Sequence, residues 1–108
     1  MAINYKNYLK NNIGISANNT VYNPTSAIQS TLVGLNLTNT SLYPVTASVT
    51  LTSGSTTAYY IKNVVLPVGN ALNVIDAGKL IIAQNDVLAV TSSANNSVDA
   101  ILSVIEVS

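Results

Sequence analysis

At 108 residues and 11.3 kDa the chain has the length of a single domain, and such a chain buries roughly two-thirds of its unfolded surface without a metal or disulfide staple. Only 7% of the residues are charged, four Lys against four Asp and Glu, and Cys, His, Trp, Phe and Arg are absent. Without His or Cys there is no Ser-His or Cys-His nucleophile and no usual zinc or iron ligand set, and without a basic stripe there is no electrostatic footprint for a phosphate backbone.

Residues 1–24 read as an N-terminal segment ahead of a β domain over 25–108. Tyr5, Tyr8 and Leu9 share a helical face, and Gly14 is placed to end a short helix. The same residues suit an extended arm equally well. Asn11, Asn12, Asn18, Asn19 and Asn23 disfavour helix up to Pro24 and fit an ordered loop.

From Val33 the pattern has period two. Val33, Leu35 and Leu37 alternate with Gly34, Asn36 and Thr38, and Val45, Ala47, Val49 and Leu51 alternate with Thr46, Ser48, Thr50 and Thr52. Each run has one apolar and one polar face, which is the half-buried antiparallel strand. Residues 39–44 form the loop between them, and residues 53–56 turn the chain into a strand over 57–65. Tyr59 and Tyr60 are adjacent there, so one is expected in the core and one outside.

Residues 67–70 turn the chain into a strand at 71–75, and Asp76-Ala77-Gly78 turns it again. A short apolar run over 79–83, a polar turn to Asp86 and a strand over 87–92 follow. In the last strand, from Ser97, Val98, Ala100, Leu102 and Val104 line one face and Ile101, Ile105 and Val107 the other, which predicts a central strand or one whose second face a partner covers. The total is about seven to eight short strands, the signature of an all-β antiparallel sandwich or barrel.

Few residues are left to carry chemistry. Of the carboxylates Asp76, Asp86, Asp99 and Glu106, two fall in turns, so no acid pair is expected and the turn acids read as caps rather than calcium ligands. Lys6 and Lys10 form the one charge cluster, beside Tyr5 and Tyr8, whose apolar bodies and polar tips favour interfaces. Thr46, Ser48, Thr50 and Thr52 read as solvent-facing strand residues. The Asn-X-Ser/Thr triplets at Asn18, Asn36, Asn39 and Asn95 are expected by chance in so Asn-rich a chain. No run approaches the roughly 20 apolar residues of a membrane helix, and the opening lacks the apolar stretch of a signal peptide. Low charge also means little colloidal repulsion between copies, which suits a subunit of an assembly. The expectation is surface contact without catalysis, cofactor, metal, nucleic acid or membrane.

The opening run from Met1 to Gly14, MAINYKNYLKNNIG, resembles the start of small virion proteins of tailed bacteriophages. The resemblance continues through Thr20-Val21-Tyr22, the stretch 32–40, Leu66-Pro67-Val68-Gly69 and Ser97-Val98-Asp99-Ala100. It implies an all-β structural protein of the virion, assembled in the host cytoplasm: a capsid cement or decoration protein that binds the major capsid protein, or else a neck, tail or fibre component. A homo-oligomer, such as a trimer at a shell threefold, fits that setting.

On this reading Tyr5, Lys6, Tyr8, Leu9 and Lys10 are the candidate docking element and Ile101, Ile105 and Val107 the candidate self-association surface. Removing the first dozen residues is then expected to abolish docking and leave the sandwich folded. The rival is a host-glycan-binding module that uses loops at 42–44 and 53–57.

Overall fold

The computed structural model describes residues 3–16, 19–25, 29–75 and 80–107. They form nine strands and no helix: β1 (Ile3–Ile13), β2 (Thr20–Tyr22), β3 (Gln29–Asn39), β4 (Val45–Ser53), β5 (Thr56–Leu66), β6 (Ala71–Asn73), β7 (Leu80–Ala83), β8 (Val87–Ser92) and β9 (Val98–Val107). Asp76 and Lys79 lie outside the described residues, so the turn-cap reading of Asp76 is not addressed.

All pairings are antiparallel and fall into two sheets. The five-stranded sheet runs β1-β9-β3, with β6 and β7 sharing the far edge: β7 pairs with β3 along residues 29–32 and β6 along 36–38. The four-stranded sheet runs β2-β8-β4-β5. With β6 and β7 counted as one position, these are the two strand orders of a jelly roll, a sandwich of interlocked Greek keys. Only the β4–β5 hairpin and the step from β6 to β7 stay within one sheet.

Alternation sets the core. Leu32, Leu35 and Leu37 of β3, Val98, Ala100, Leu102 and Val104 of β9, and Val49, Leu88 and Val90 of the opposite sheet are all buried. A slip of one residue in any of these strands would turn its apolar set to water, so the two inner faces fix the register.

The N-terminal segment takes its extended form, and the helix is corrected. β1 pairs with β9 from Ile3↔Val107 through Lys10↔Ala100, then shifts register before Ile13 near Asn12, whose φ is 56°. A helical face at Tyr5, Tyr8 and Leu9 would have left the strand hydrogen bonds of β9 open on that side. Gly14 does not cap a helix; it lets the backbone pass the 93–96 turn, where a Cβ would stand 2.8 Å from Asn95 Oδ1. Removing the first dozen residues would therefore strip an edge strand from the sandwich.

Two further expectations change. Tyr59 and Tyr60 are both exposed, at 58% and 39%, because β5 pairs only with β4 and the opposite sheet covers little of it; Leu66 is its one buried residue. β9 is central, between β1 and β3, but only one of its faces is in the core.

Candidate functional site

The outer face of the five-stranded sheet gathers several exposed apolar residues. The odd residues of β1 point outward, and the register sets Ile3 beside Val107, Tyr5 beside Ile105 and Leu9 beside Ile101. The row from Tyr5 through Ile105 continues to Thr31 on β3 and Ile81 on β7. Tyr5 is 80% exposed, Leu9 75% and Ile101 47%, and Ile3, Val33 and Ile81 are also exposed. This face carries exposed apolar residues from four strands, interrupted by Thr31 and by the hydrogen-bonded pair Asn7 and Ser103, and apolar residues grouped on one face mark a candidate contact surface.

The even residues of β1 turn the other way, and here the structure builds something the sequence did not reveal. Glu106 of β9 is buried, and its Oε2 accepts hydrogen bonds from the Tyr22 hydroxyl at 2.5 Å and the Tyr8 hydroxyl at 2.9 Å. Because Tyr22 spends its one proton on Glu106, Ser30 Oγ donates to Tyr22 Oη at 2.7 Å. Lys6 Nζ lies 3.4 Å from Glu106 Oε1, and the Tyr8 and Tyr22 rings pack at 5.1 Å between centroids.

This group of side chains ties β1, β3 and β9 to β2 across the sandwich. Burial by itself would raise the Glu106 pKa, but the hydrogen bonds from Tyr22 and Tyr8 and the charge of Lys6 outweigh it and hold the carboxyl below 4.5. Burial and the hydrogen bond to Glu106 push both tyrosines above 10.0. The arrangement is a satisfied structural knot: each buried polar side chain among the described residues has a partner.

A third feature lies on the outer face of the four-stranded sheet. A groove of about 660 Å³ has a floor of small residues, Ser48, Thr50, Ala89 and Thr91, and a wall made by Tyr59 and Lys62 on β5. Lys62 Nζ stands 5.0 Å from the Tyr59 ring centroid, a cation–π contact. Thr52 and Thr57 share a hydrogen bond at 2.8 Å at one end of the groove.

The candidate residues sort accordingly. Tyr5 and Leu9 share one face with Ile101, Ile105 and Val107, so the docking and self-association sets meet on a single surface. Lys6 and Tyr8 face Glu106, and Lys10, paired with Ala100, lies on their side of β1. Ile3, Val33 and Ile81 complete the outer face and were missed, as was the groove. The alternation of Ile3, Tyr5 and Leu9 with Asn4, Lys6, Tyr8 and Lys10 was the signal that could have found the first. Asp86 is a turn cap, its Oδ2 accepting from the Ala83 N–H at 3.0 Å, and no cluster of three metal-ligating side chains occurs among the described residues.

No protein-family model matches the chain, and no curated protein matches it in sequence. In fold it is similar to a chain of the crystal structure of the T13 IBDV viral particle, with a TM-score of 0.56 and 15% identity; the match covers 97% of this chain. It spans about a third, 31%, of that viral chain. At this identity the likeness is one of fold alone.

Proposed function

We propose that the protein is a structural subunit of a virus particle, and more narrowly a capsid cement or decoration protein of a tailed bacteriophage that binds the major capsid protein. The observation that carries this reading is the set of exposed apolar residues Ile3, Tyr5, Leu9, Ile81 and Ile101 on one outer face of a jelly roll that resembles a virus-particle chain in fold. Such a face gives up water on contact at about 25 cal/mol for each Å² covered, and a shell repeats the contact many times over. The role needs no chemical step: binding only the assembled lattice stabilises that lattice by mass action. Tyr5 and Leu9, with Ile101, Ile105 and Val107, form the contact surface, and Lys10 adds a charge beside it.

The test is the copy number of the protein in purified particles against the major capsid protein, by quantitative mass spectrometry. A ratio near one supports cementing. A ring's worth of copies moves the protein to the neck, tail or fibre, and absence from the particle overturns the virion role.

A second reading, recognition of a host glycan, has the groove in its favour. Its hydroxyl-lined floor and the Tyr59 ring are groups that bond and stack on sugars. A glycan array decides it, since a cement protein binds none of the sugars.

A further inference from the structure

The four lateral edges of this sandwich are not alike. β2 is three residues long, and β6 and β7 are three and four residues long, so neither edge offers a run on which another strand could pair. β5 is long, but its pairing with β4 shifts register twice, between Ala47 and Val49 and between Val49 and Thr50, and Asn63 turns to φ 55°. Short edges and bulges are the devices by which sheet proteins keep their edges from pairing.

β1 is neither short nor bulged along most of its length; it does carry Lys6 and Lys10, and edge lysines also discourage pairing, so an occupant has to keep them apart. The strand pairs with β9 in unbroken register from Ile3 to Lys10, contains no Pro, and no strand among the described residues pairs with its other side.

We propose that β1 is a pairing edge, and that its occupant is β1 of a second copy of this chain, antiparallel about a twofold axis through Asn7. The register follows from the side chains. With Asn7 opposite Asn7, residues 3–11 all take part, and Tyr5 meets Leu9 on the outer face. On the inner face Lys6 meets Tyr8 and Lys10 meets Asn4.

The neighbouring in-phase registers bring like charges together. Centring on Lys6 sets Lys6 against Lys6, and centring on Tyr8 sets Lys6 against Lys10, which is unfavourable for residues directly opposite. Centring on Tyr5 or Leu9 avoids that clash but shortens the pairing or runs it into the irregular backbone at Asn12. The Asn7 register combines the greatest length with Tyr5 facing Leu9 and no facing lysines, while Ile3 faces Asn11. It joins two five-stranded sheets into one continuous sheet and doubles the apolar outer face. The inference stands on the edge itself and not on the virion role, so each can fail without the other.

The chain contains no cysteine, so single introduced cysteines report the register cleanly. Light scattering on the full chain should give twice the 11.3 kDa monomer mass. Asn7→Cys should oxidise to a covalent dimer, because opposite Cα atoms in an antiparallel pair are roughly 4.5–5.5 Å apart, within disulfide range. Tyr5→Cys and Leu9→Cys should each stay largely uncrosslinked alone and crosslink when mixed. Asn7→Lys, which sets like charges against each other on the axis, should weaken the dimer about tenfold, and mixing it with Asn7→Asp should restore a heterodimer.

A monomeric wild-type chain overturns the proposal. So does a dimer that Asn7→Lys leaves unchanged, or one in which Tyr5→Cys crosslinks to itself as readily as to Leu9→Cys. Circular dichroism of each variant shows that it is folded, as expected for an exposed position whose one side-chain bond is from Ser103.

Discussion

The Tyr22 hydroxyl, on the edge strand of one sheet, donates 2.5 Å to the carboxylate of Glu106 on the central strand of the other. This bond is a buried polar clasp between the two sheets of a largely apolar core. Tyr22→Phe should lower stability by about 1–3 kcal/mol, since it leaves a buried carboxylate short of a donor. Urea unfolding at pH 7 measures it, and an unchanged midpoint would show that Tyr8 and Lys6 suffice.

Glu106 makes stability depend on pH at the acid end. Its folded pKa lies below 4.5, so the unfolded chain takes up the proton first; the contribution is complete above about pH 4.5 and is lost as pH falls through the folded value. Tyr8 and Tyr22 are raised above 10.0, so their contribution is complete below pH 10 and is lost as pH rises through their folded values. Thermal melts across pH should show both limbs. Glu106→Gln should flatten the acid limb, and an acid limb of undiminished slope in that variant would place the titration elsewhere.

Leu102 sits in the middle of the core with Tyr8 beside it on β1 and Leu35 beside it on β3, and it is fully buried. Leu102→Ala should cost about 2–5 kcal/mol through lost transfer energy and the cavity left behind. Denaturant midpoints with an unchanged m-value are the readout.

Asn39 is a buried polar hub. Its Nδ2 donates to the carbonyls of Tyr43 and Leu66, and its Oδ1 accepts from the Ser41 N–H and hydroxyl, so it pins the 40–44 loop to the end of β5. Asn39→Ala should cost about 1–3 kcal/mol, because the Leu66 carbonyl loses its donor in a buried site, whereas the Tyr43 carbonyl keeps the Ser41 hydroxyl. Amide exchange in residues 40–44 should rise with it. A loss of stability without local exchange would mean that the loop is held by other contacts.

The outer face should behave in the opposite way. Tyr5→Lys and Ile101→Lys remove exposed apolar groups, so each should shift stability by less than about 1 kcal/mol. On the cement reading both should abolish binding to particles that lack the protein, measured as copies bound per particle. Full binding by the folded double variant would remove this face from the contact.

Most strands were legible in the chain because alternation is a local property. Val45, Ala47 and Val49 are apolar at every second position whatever lies around them, and the strands from β3 to β9 fall close to where that pattern puts them. The segment before Pro24 was harder, because Tyr5, Tyr8 and Leu9 satisfy a helical spacing as well as an extended one. Pairing with β9 decided between them.

What the sequence determined by itself was the all-β class, the two-faced strands and the lack of His and Cys for the nucleophiles and metal sets built on them, since these follow from residue types and their order. Which strands are neighbours was decided only in three dimensions. That choice buried Glu106 beside Tyr8 and Tyr22, left both Tyr59 and Tyr60 in water on an edge strand, and gathered Tyr5, Leu9 and Ile101 on one face. A strand's pattern says that it has an apolar face. Whether another sheet, solvent or a second molecule covers that face depends on the strands packed around it, and residues far apart in the chain supply those.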